Sequence, residues 1–434
     1  MGKEPIEADF ARLGLKIETA DDAPFTAKHF ELFVNDAVKN VLGSCGPVVK
    51  ISHFDENRKI GSVIAVGNEV LSVWAAISVS GTFLNRHSQI VMLVYLVLIP
   101  VLLFAFLLAF FLVIYFSMPS SRDFHFFKKH ALVTGGSKGI GYQLAAGLIE
   151  RGANVTIVAR NVDDLKKSCA SLQELADGRG QRQKVQWKSL DLTKNYDEIK
   201  KTIEEAEKEF GPVDVLINNA GHSVQAPFEK IDIDDFEKQM RVNYLSAVFA
   251  TRAVIEGMKQ RKSGHISFVS SAAGQFAIYG YTAYSATKFA LRGLADALHM
   301  ELLPFKVNVG ILYPPNTDTE GFKYEIQTMP EEVRLISETA GLFTPEFVAE
   351  AHLKDVENGQ YATTIGLDGW MLGNLTAGAS PEKSLWRAFV QTWLAGLFRG
   401  ITLVYMGYFN GIVKKCHRRR LQEAAEAEET SKSE

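Results

Sequence analysis

Two hydrophobic patterns divide this chain. From about residue 129 to 320, short apolar runs alternate with segments whose apolar residues recur every three or four positions. HALVTG, NVTIVAR, KVQWKSLDL, VDVLINNAG, HISFVSS and KVNVGILYP read as six strands, apolar enough to be covered on both faces. IGYQLAAGLIERG, ending at Gly152, is the first of the helices between them. Alternation over this length predicts an α/β domain, a doubly wound parallel sheet with helices on both faces. The second pattern is continuous apolarity. Ile90 to Phe116 contains 27 residues and no charge, more than the roughly 20 needed to cross a bilayer. It reads as a transmembrane helix, with Pro100 as a candidate kink.

The remaining segments are more mixed. Residues 1–88 contain a helical pattern (HFELFVNDAVKNVL), strand-like runs (VVKISHF, SVIAV) and a second apolar helix (EVLSVWAAIS), a small α/β extension. That order, followed by VWAAISVSGTFLN, faintly resembles the small α/β protein subunits of ribonuclease P, but no diagnostic motif accompanies it and no function is placed on it. Phe389 to Val413 is again apolar, with Trp393, Tyr405 and Tyr408, but Arg399 at its middle argues against a simple span. With KKCHRRR following, a re-entrant or interfacial segment is expected there. The last stretch, QEAAEAEETSKSE, reads as a charged, disordered tail. The expected organisation is therefore an extension over 1–88, an anchor over 90–116, an α/β domain over 126–385, a membrane-associated segment over 386–415 and a tail over 416–434.

Composition adds limits. The 434 residues are 47% hydrophobic with net charge −3, giving no bulk basic surface for nucleic acid. Cys45, Cys169 and Cys416 have neither disulfide-framework nor metal-type spacing, so a reducing compartment and no metal site are expected. Arg122, Lys128 and Lys129 follow the apolar span, against Arg86 before it. The positive-inside rule therefore leans toward the cytosol for the following domain.

Candidate chemistry begins between the first strand and first helix. Thr134-Gly-Gly-Ser-Lys-Gly-Ile-Gly141 supplies Gly135, Gly139 and Gly141 for a tight turn, close approach to a pyrophosphate and helix packing. Ser137, Lys138 and Ile140 complete the loop, and the helix N-terminus offers free N–H groups. This is the arrangement of a Rossmann-type dinucleotide fold. The second strand ends in Ala159-Arg160, with no acid for an NAD ribose. Arg160, Ser137 and Lys138 suit a 2′-phosphate instead, which favours NADPH. Asp191, ending the third strand, is expected near the adenine, and Asn219 beside the adenosine side. Further along, Tyr284 and Lys288 stand four apart on one helical face, where an ammonium can lower a phenol's pKa. Ser271, on the loop after HISFVS, is placed to hold an oxygen on which charge changes, and its neighbour Ser270 is a second candidate.

Taken in order, TGxxxGxG, NNAG, the Asn of MRVNYL, Ser and YxxxK resemble the short-chain dehydrogenase/reductase family over about residues 129–320. The resemblance implies that Tyr284 donates the proton, Lys288 holds the nicotinamide ribose, Ser271 polarises the substrate carbonyl and Asn243 supports a proton-relay water. It implies cofactor contacts at Pro314, Thr317 and Thr319, although Pro315 stands where the family usually has Gly. Family members often pair through the helix carrying Tyr284, so a homodimer is among its implications. AYSATKFALRGLADALHMEL, ILYPPNTDTEGF and DGWMLGNLTAGASP resemble one subgroup, the endoplasmic-reticulum reductases of sphingoid-base synthesis, over about residues 90–415. That implies NADPH-dependent reduction of 3-ketosphinganine to sphinganine, a long-chain sphingoid ketone drawn from the bilayer, with the catalytic domain facing the cytosol. The alternatives are a membrane-bound relative acting on steroid, retinoid or 3-ketoacyl-CoA carbonyls, and a non-catalytic lipid-binding scaffold on the same fold.

Overall fold

The computed structural model describes residues 10–16, 26–42, 49–58, 60–66, 73, 76–77, 86–118, 123–178 and 183–433. They fall into two units, 1–114 and 115–434.

In the first unit, strands β1 (Phe10–Lys16), β2 (Lys50–Asp55) and β3 (Ile60–Val66) form an antiparallel sheet in the order β1-β3-β2. Helix α1 (Ala27–Leu42) packs on it, burying Phe30, Phe33, Val34, Ala37 and Val38 at the expected helical spacing. Phe30 stacks on Phe54 at 4.7 Å. Its ring fills the place a side chain would take at Gly61, 2.4 Å from where a Cβ would stand. The strand β1 is absent from the sequence reading, since FARLGLK has no clear alternation and no turn signal marks it. Most of EVLSVWAAIS, together with Cys45 and Arg122, lies outside the described residues. Helix α2 (Arg86–Ser117) contains the apolar run and keeps Pro100 inside it. At about 1.5 Å per residue its 32 residues reach about 48 Å, beyond the roughly 30 Å of a hydrocarbon core. From Leu98 to Ser117 its mean hydropathy is 2.9 and none of it is buried.

The second unit is built on a parallel sheet of β4 (His130–Thr134), β5 (Asn154–Ala159), β6 (Val185–Ser189), β7 (Val215–Asn218), β8 (Gly264–Val269), β9 (Val307–Tyr313) and β10 (Ala362–Thr364). Their order is β10-β9-β8-β7-β4-β5-β6. The order reverses between β4 and β7, which opens a crevice at their carboxyl ends. The six expected strands are present. The seventh, β10, has three residues and is too short to leave a periodic signal.

Helices cover both faces, as the doubly apolar strands require. On one face α5 (Tyr196–Phe210), α7 (Ser246–Arg261) and α8 (Thr282–Leu302) bury Ile199, Ala250 and Leu291. On the other α3 (Gly139–Glu150), α4 (Val162–Gly178) and α11 (Pro345–Glu357) bury Leu144, Leu165 and Leu353. Of the shorter helices, α6 (Ile233–Met240) packs on α8, while α9 (Glu320–Thr328), α10 (Glu331–Ser337) and α12 (Gly366–Leu375) line the crevice.

The C-terminal segment differs from the sequence reading in two respects. Leu385–Ser433 is one helix, α13, without the reversal a re-entrant segment needs. Its glycines are absorbed, and no proline interrupts it. The residues read as a disordered tail continue that helix. Arg419–Glu423 at 3.4 Å and Lys432–Glu428 at 2.6 Å are i,i+4 pairs among strong helix formers. Arg419 and Arg420 also pair with Glu331 and Glu332 of α10, tying the helix to the domain.

Candidate active site

The crevice at the carboxyl end of the sheet is a cavity of about 700 Å³, within the roughly 300–1,000 Å³ usual for small-molecule sites. Its first wall is the glycine loop between β4 and α3. Gly135 and Gly139 adopt φ of +63° and +55°, which side chains disfavour. A Cβ on Gly141 would lie 2.2 Å from the Gly135 carbonyl oxygen. The Asn219 amide donates to the carbonyls of Thr134 and Gly135 at 3.0 and 3.1 Å, and Thr134 Oγ1 accepts from the N–H groups of Asn219 and Ala220. These bonds fasten the loop across the switch point. The bare backbone they hold open, ahead of the α3 N-terminus, fits the pyrophosphate of a dinucleotide. Asn219 thus acts on the cradle as well as lining it.

The charges expected at the cofactor end are arranged differently from one another. Arg160 is exposed and lines the cavity. Lys138 lies between Asp164 at 3.0 Å and Glu320 at 3.1 Å, and these hydrogen bonds raise its pKa. Asp191 does not line the cavity; its Oδ1 accepts from the N–H and hydroxyl of Thr193. Pro314, Thr317 and Thr319 do line it. Pro314 accepts from Ala272 N at 3.0 Å, Thr317 Oγ1 donates to the Pro315 carbonyl, and Thr319 caps α9 by accepting from Phe322 N.

The second wall carries the tyrosine. Tyr284 sits in the first turn of α8, and Lys288 follows one turn later with Nζ 5.5 Å from the Tyr284 ring centre. Lys288 is 4% exposed and donates to the Val269 carbonyl at 3.0 Å. Burial pushes its pKa down to about 8, with Glu325 opposing the shift. Burial, and secondarily the Glu325 charge, push the Tyr284 phenol up, while a hydrogen bond from Ser271 pulls it down. Ser271 Oγ accepts from Ala273 N at 3.1 Å, which leaves its own proton for that bond. Ser270 also lines the cavity, but its hydroxyl is buried and donates to the Lys288 carbonyl at 3.0 Å. Gly274 permits this approach, since a Cβ there would lie 2.4 Å from Ser270 Oγ.

Asn243 lies on a π-helical turn, Arg241–Leu245, a form often found at functional sites. It does not line the cavity and is 1% exposed. Its Oδ1 accepts from His222 N at 2.9 Å, and its Nδ2 donates to His222 O and Thr287 Oγ1. It therefore clamps the loop after β7 to α8, just behind Lys288.

A third wall escaped the sequence reading. Met371 and Leu372 of α12 and Thr402, Tyr405 and Phe409 of α13 line the same cavity, with Phe276 and Ile278 before α8. Phe409 packs on Phe276 at 6.3 Å between ring centres, and Phe398 meets Trp370 edge-on at 5.3 Å. The signal was present as a helical stripe, Phe398, Thr402, Phe409 and Cys416, all buried. It was hidden by an apolar composition that reads equally well as membrane.

Residues 129–330 match the short chain dehydrogenase family. The 3-dehydrosphinganine reductase of Danio rerio is 44% identical over 320 residues, 73% of this chain and 96% of that protein. The 3-ketodihydrosphingosine reductase of Bos taurus is 44% identical over 314 residues, 72% of this chain and 94% of that protein. The 3-dehydrosphinganine reductase TSC10B of Arabidopsis thaliana is 34% identical over 298 residues, 68% and 87% of the two chains.

Proposed function

The chain belongs to the short-chain dehydrogenases, and on that premise we propose that it reduces 3-ketosphinganine to sphinganine with NADPH. Membership makes the cofactor a nicotinamide dinucleotide. Exposed Arg160, with no acid at the end of β5, supports the phosphorylated form. The observation that carries the substrate reading is one cavity with two characters: Ser271, Tyr284 and Lys288 on one wall, and the apolar side chains of α12 and α13 on another. A ketone joined to a long alkyl chain needs both. The relatives' names agree with it, and steroid, retinoid or acyl-CoA carbonyls are not favoured.

When bound, the cofactor supplies the hydride. Ser271 holds the carbonyl oxygen, with its lone pair occupied by Ala273 N–H and its proton directed into the site. Tyr284 gives its proton to that oxygen as negative charge develops there. Lys288, fixed by the Val269 carbonyl, offsets the phenolate that remains. Asn243 and Asn219 keep the walls in register through backbone contacts. The glycine loop, Arg160, Pro314, Thr317 and Thr319 would hold the cofactor.

The helix α2, long and apolar enough to cross a membrane, supports an anchored enzyme, and we place it in the endoplasmic reticulum with the catalytic domain toward the cytosol. The outer stripe of α13 supports contact with the bilayer surface: Trp386, Trp393, Leu397, Val404 and Tyr408 are exposed at helical spacing. The test is NADPH oxidation by the detergent-solubilised protein with 3-ketosphinganine, a steroid ketone and a 3-ketoacyl-CoA. Turnover of the sphingoid ketone alone, lost in Tyr284→Phe with NADPH affinity retained, is expected. Turnover of only the other ketones would overturn the substrate. Function unchanged by Tyr284→Phe would favour a scaffold.

A further inference from the structure

Among the described residues three carboxylates line the cavity. Glu320 is paired with Lys138 at 3.1 Å, and Asp368 is exposed. Glu325 differs. It lies on α9, half-buried, and its Oε2 accepts from Gln225 Nε2 at 2.9 Å. Gln225 is itself buried and braced by Ser223 Oγ at 3.1 Å. Among the described residues no hydrogen bond reaches Glu325 Oε1, and no cationic side chain lies within ion-pair distance. Yet the carboxylate lines the same cavity as Tyr284, Tyr281 and Lys288, and its charge acts on all three. An acid held in the same cavity as the proton donor, with one oxygen unengaged among the described residues, is a ready partner for a cation.

The proposed substrate supplies such a partner. Its amine stands on the carbon next to the carbonyl, so whatever holds the carbonyl at Tyr284 brings an ammonium group beside it. We propose that Glu325, braced by Gln225, is the receptor for that ammonium and selects 2-amino ketones over plain ketones. The inference rests on the reading of the substrate given above. Two facts support it further. Burial raises the Glu325 carboxyl to about 7, with Gln225 and Lys288 opposing, so an arriving cation gains by completing its ionisation. Its negative charge also works against Tyr284 ionisation, a penalty that the ammonium cancels in the bound complex.

The test compares 3-ketosphinganine with 1-hydroxyoctadecan-3-one, the same chain without the amine. Each is assayed by NADPH oxidation with the wild-type protein, Glu325→Gln and Glu325→Asp. Glu325→Gln is expected to lower kcat/KM for the amino ketone about 10- to 100-fold, chiefly through KM. It should not lower turnover of the plain ketone, which has no ammonium to offset the Glu325 charge, and should leave NADPH affinity unchanged, the latter reporting an intact fold. Glu325→Asp should restore part of the preference. Equal losses on both ketones, or no loss on either, would overturn the inference while wild-type turnover of 3-ketosphinganine leaves the substrate reading standing. Wild-type turnover of neither ketone would overturn the substrate reading and this inference with it.

Discussion

Replacing Lys288 by methionine removes one charge from the site at nearly constant shape. Nζ lies 5.5 Å from the centre of the Tyr284 ring. At an effective dielectric of about 20, unit charges at that distance interact by about 3 kcal/mol, or about 2 units of pKa on the phenol. The oxidation of sphinganine reads this most directly, because there Tyr284 must accept a proton and so must be ionised. At saturating NADP+, the wild-type rate should therefore exceed Lys288→Met by about 100-fold at pH 7. The sign of the pH dependence follows from Lys288 itself. Its pKa is pushed down to about 8 by burial, so its charge is present below that pH and lost above it. The two profiles should converge as pH climbs through 9. Profiles that stay parallel from pH 6 to 10, displaced by a constant factor, would refute the electrostatic role and leave Lys288 only a part in holding the cofactor.

Other consequences are as direct. Gly141→Ala puts a methyl 2.2 Å from the Gly135 carbonyl oxygen and 2.4 Å from Asn219 Nδ2, so NADPH affinity measured by fluorescence titration should fall at least about tenfold, against an overpacking cost of about 1–3 kcal/mol. His352 is buried between Thr363 Oγ1 at 3.0 Å and Ser267 Oγ at 2.9 Å, and burial lowers its pKa to about 4. A depressed histidine stabilises fully above its unfolded pKa of about 6.5 and loses that contribution as pH falls toward 4, on the order of 3 kcal/mol in all. His352→Gln should therefore flatten the acid-side fall in Tm between pH 6.5 and 4.5. Leu397→Glu with Val404→Glu charges the outer stripe of α13 without touching the cavity; vesicle flotation of a protein lacking residues 1–118 should drop while NADPH binding persists, and unchanged flotation would count against a membrane-facing stripe.

Most of the second unit was legible in the sequence because its signals are local. Strand runs covered on both faces, a glycine loop at a strand–helix junction, and a Tyr–Lys pair at helical spacing are each set by a few adjacent residues. Gly135 and Gly139 could be read as turn glycines, and the structure gives them positive φ. What the sequence withheld was set by distant partners. Glu325 lies 100 residues from Gln225, and neither carries a motif. The choice between Ser270 and Ser271 depended on which hydroxyl the α8 backbone engages, a contact spanning 18 residues from Ser270 to Lys288. The cavity-lining face of the C-terminal helix was hidden for another reason. Apolar residues facing a cavity and apolar residues facing lipid are the same residues in composition, and only the buried stripe of Phe398, Thr402 and Phe409 separates the two faces.

That double-faced helix bears on how a substrate of this kind is handled. Each methylene transferred from water to an apolar environment is worth about 0.8 kcal/mol, so a long-chain ketone stays in the bilayer unless the protein offers an equally apolar surface. The inner stripe of α13 offers it through Tyr405 and Phe409, continued by Met371, Leu372, Phe276 and Ile278. The polar end of the same cavity cannot attract the chain; it can only select the head, through Ser271, Tyr284 and, by the inference above, Glu325. Affinity and selectivity are thus divided between walls built by different parts of the sequence. The catalytic wall comes from the sheet and α8, and the chain-binding wall largely from residues beyond 366, with Phe276 and Ile278 added from the loop before α8. Substitutions on α12 or α13 should accordingly move KM with alkyl length, whereas substitutions around Tyr284 should move kcat at every length.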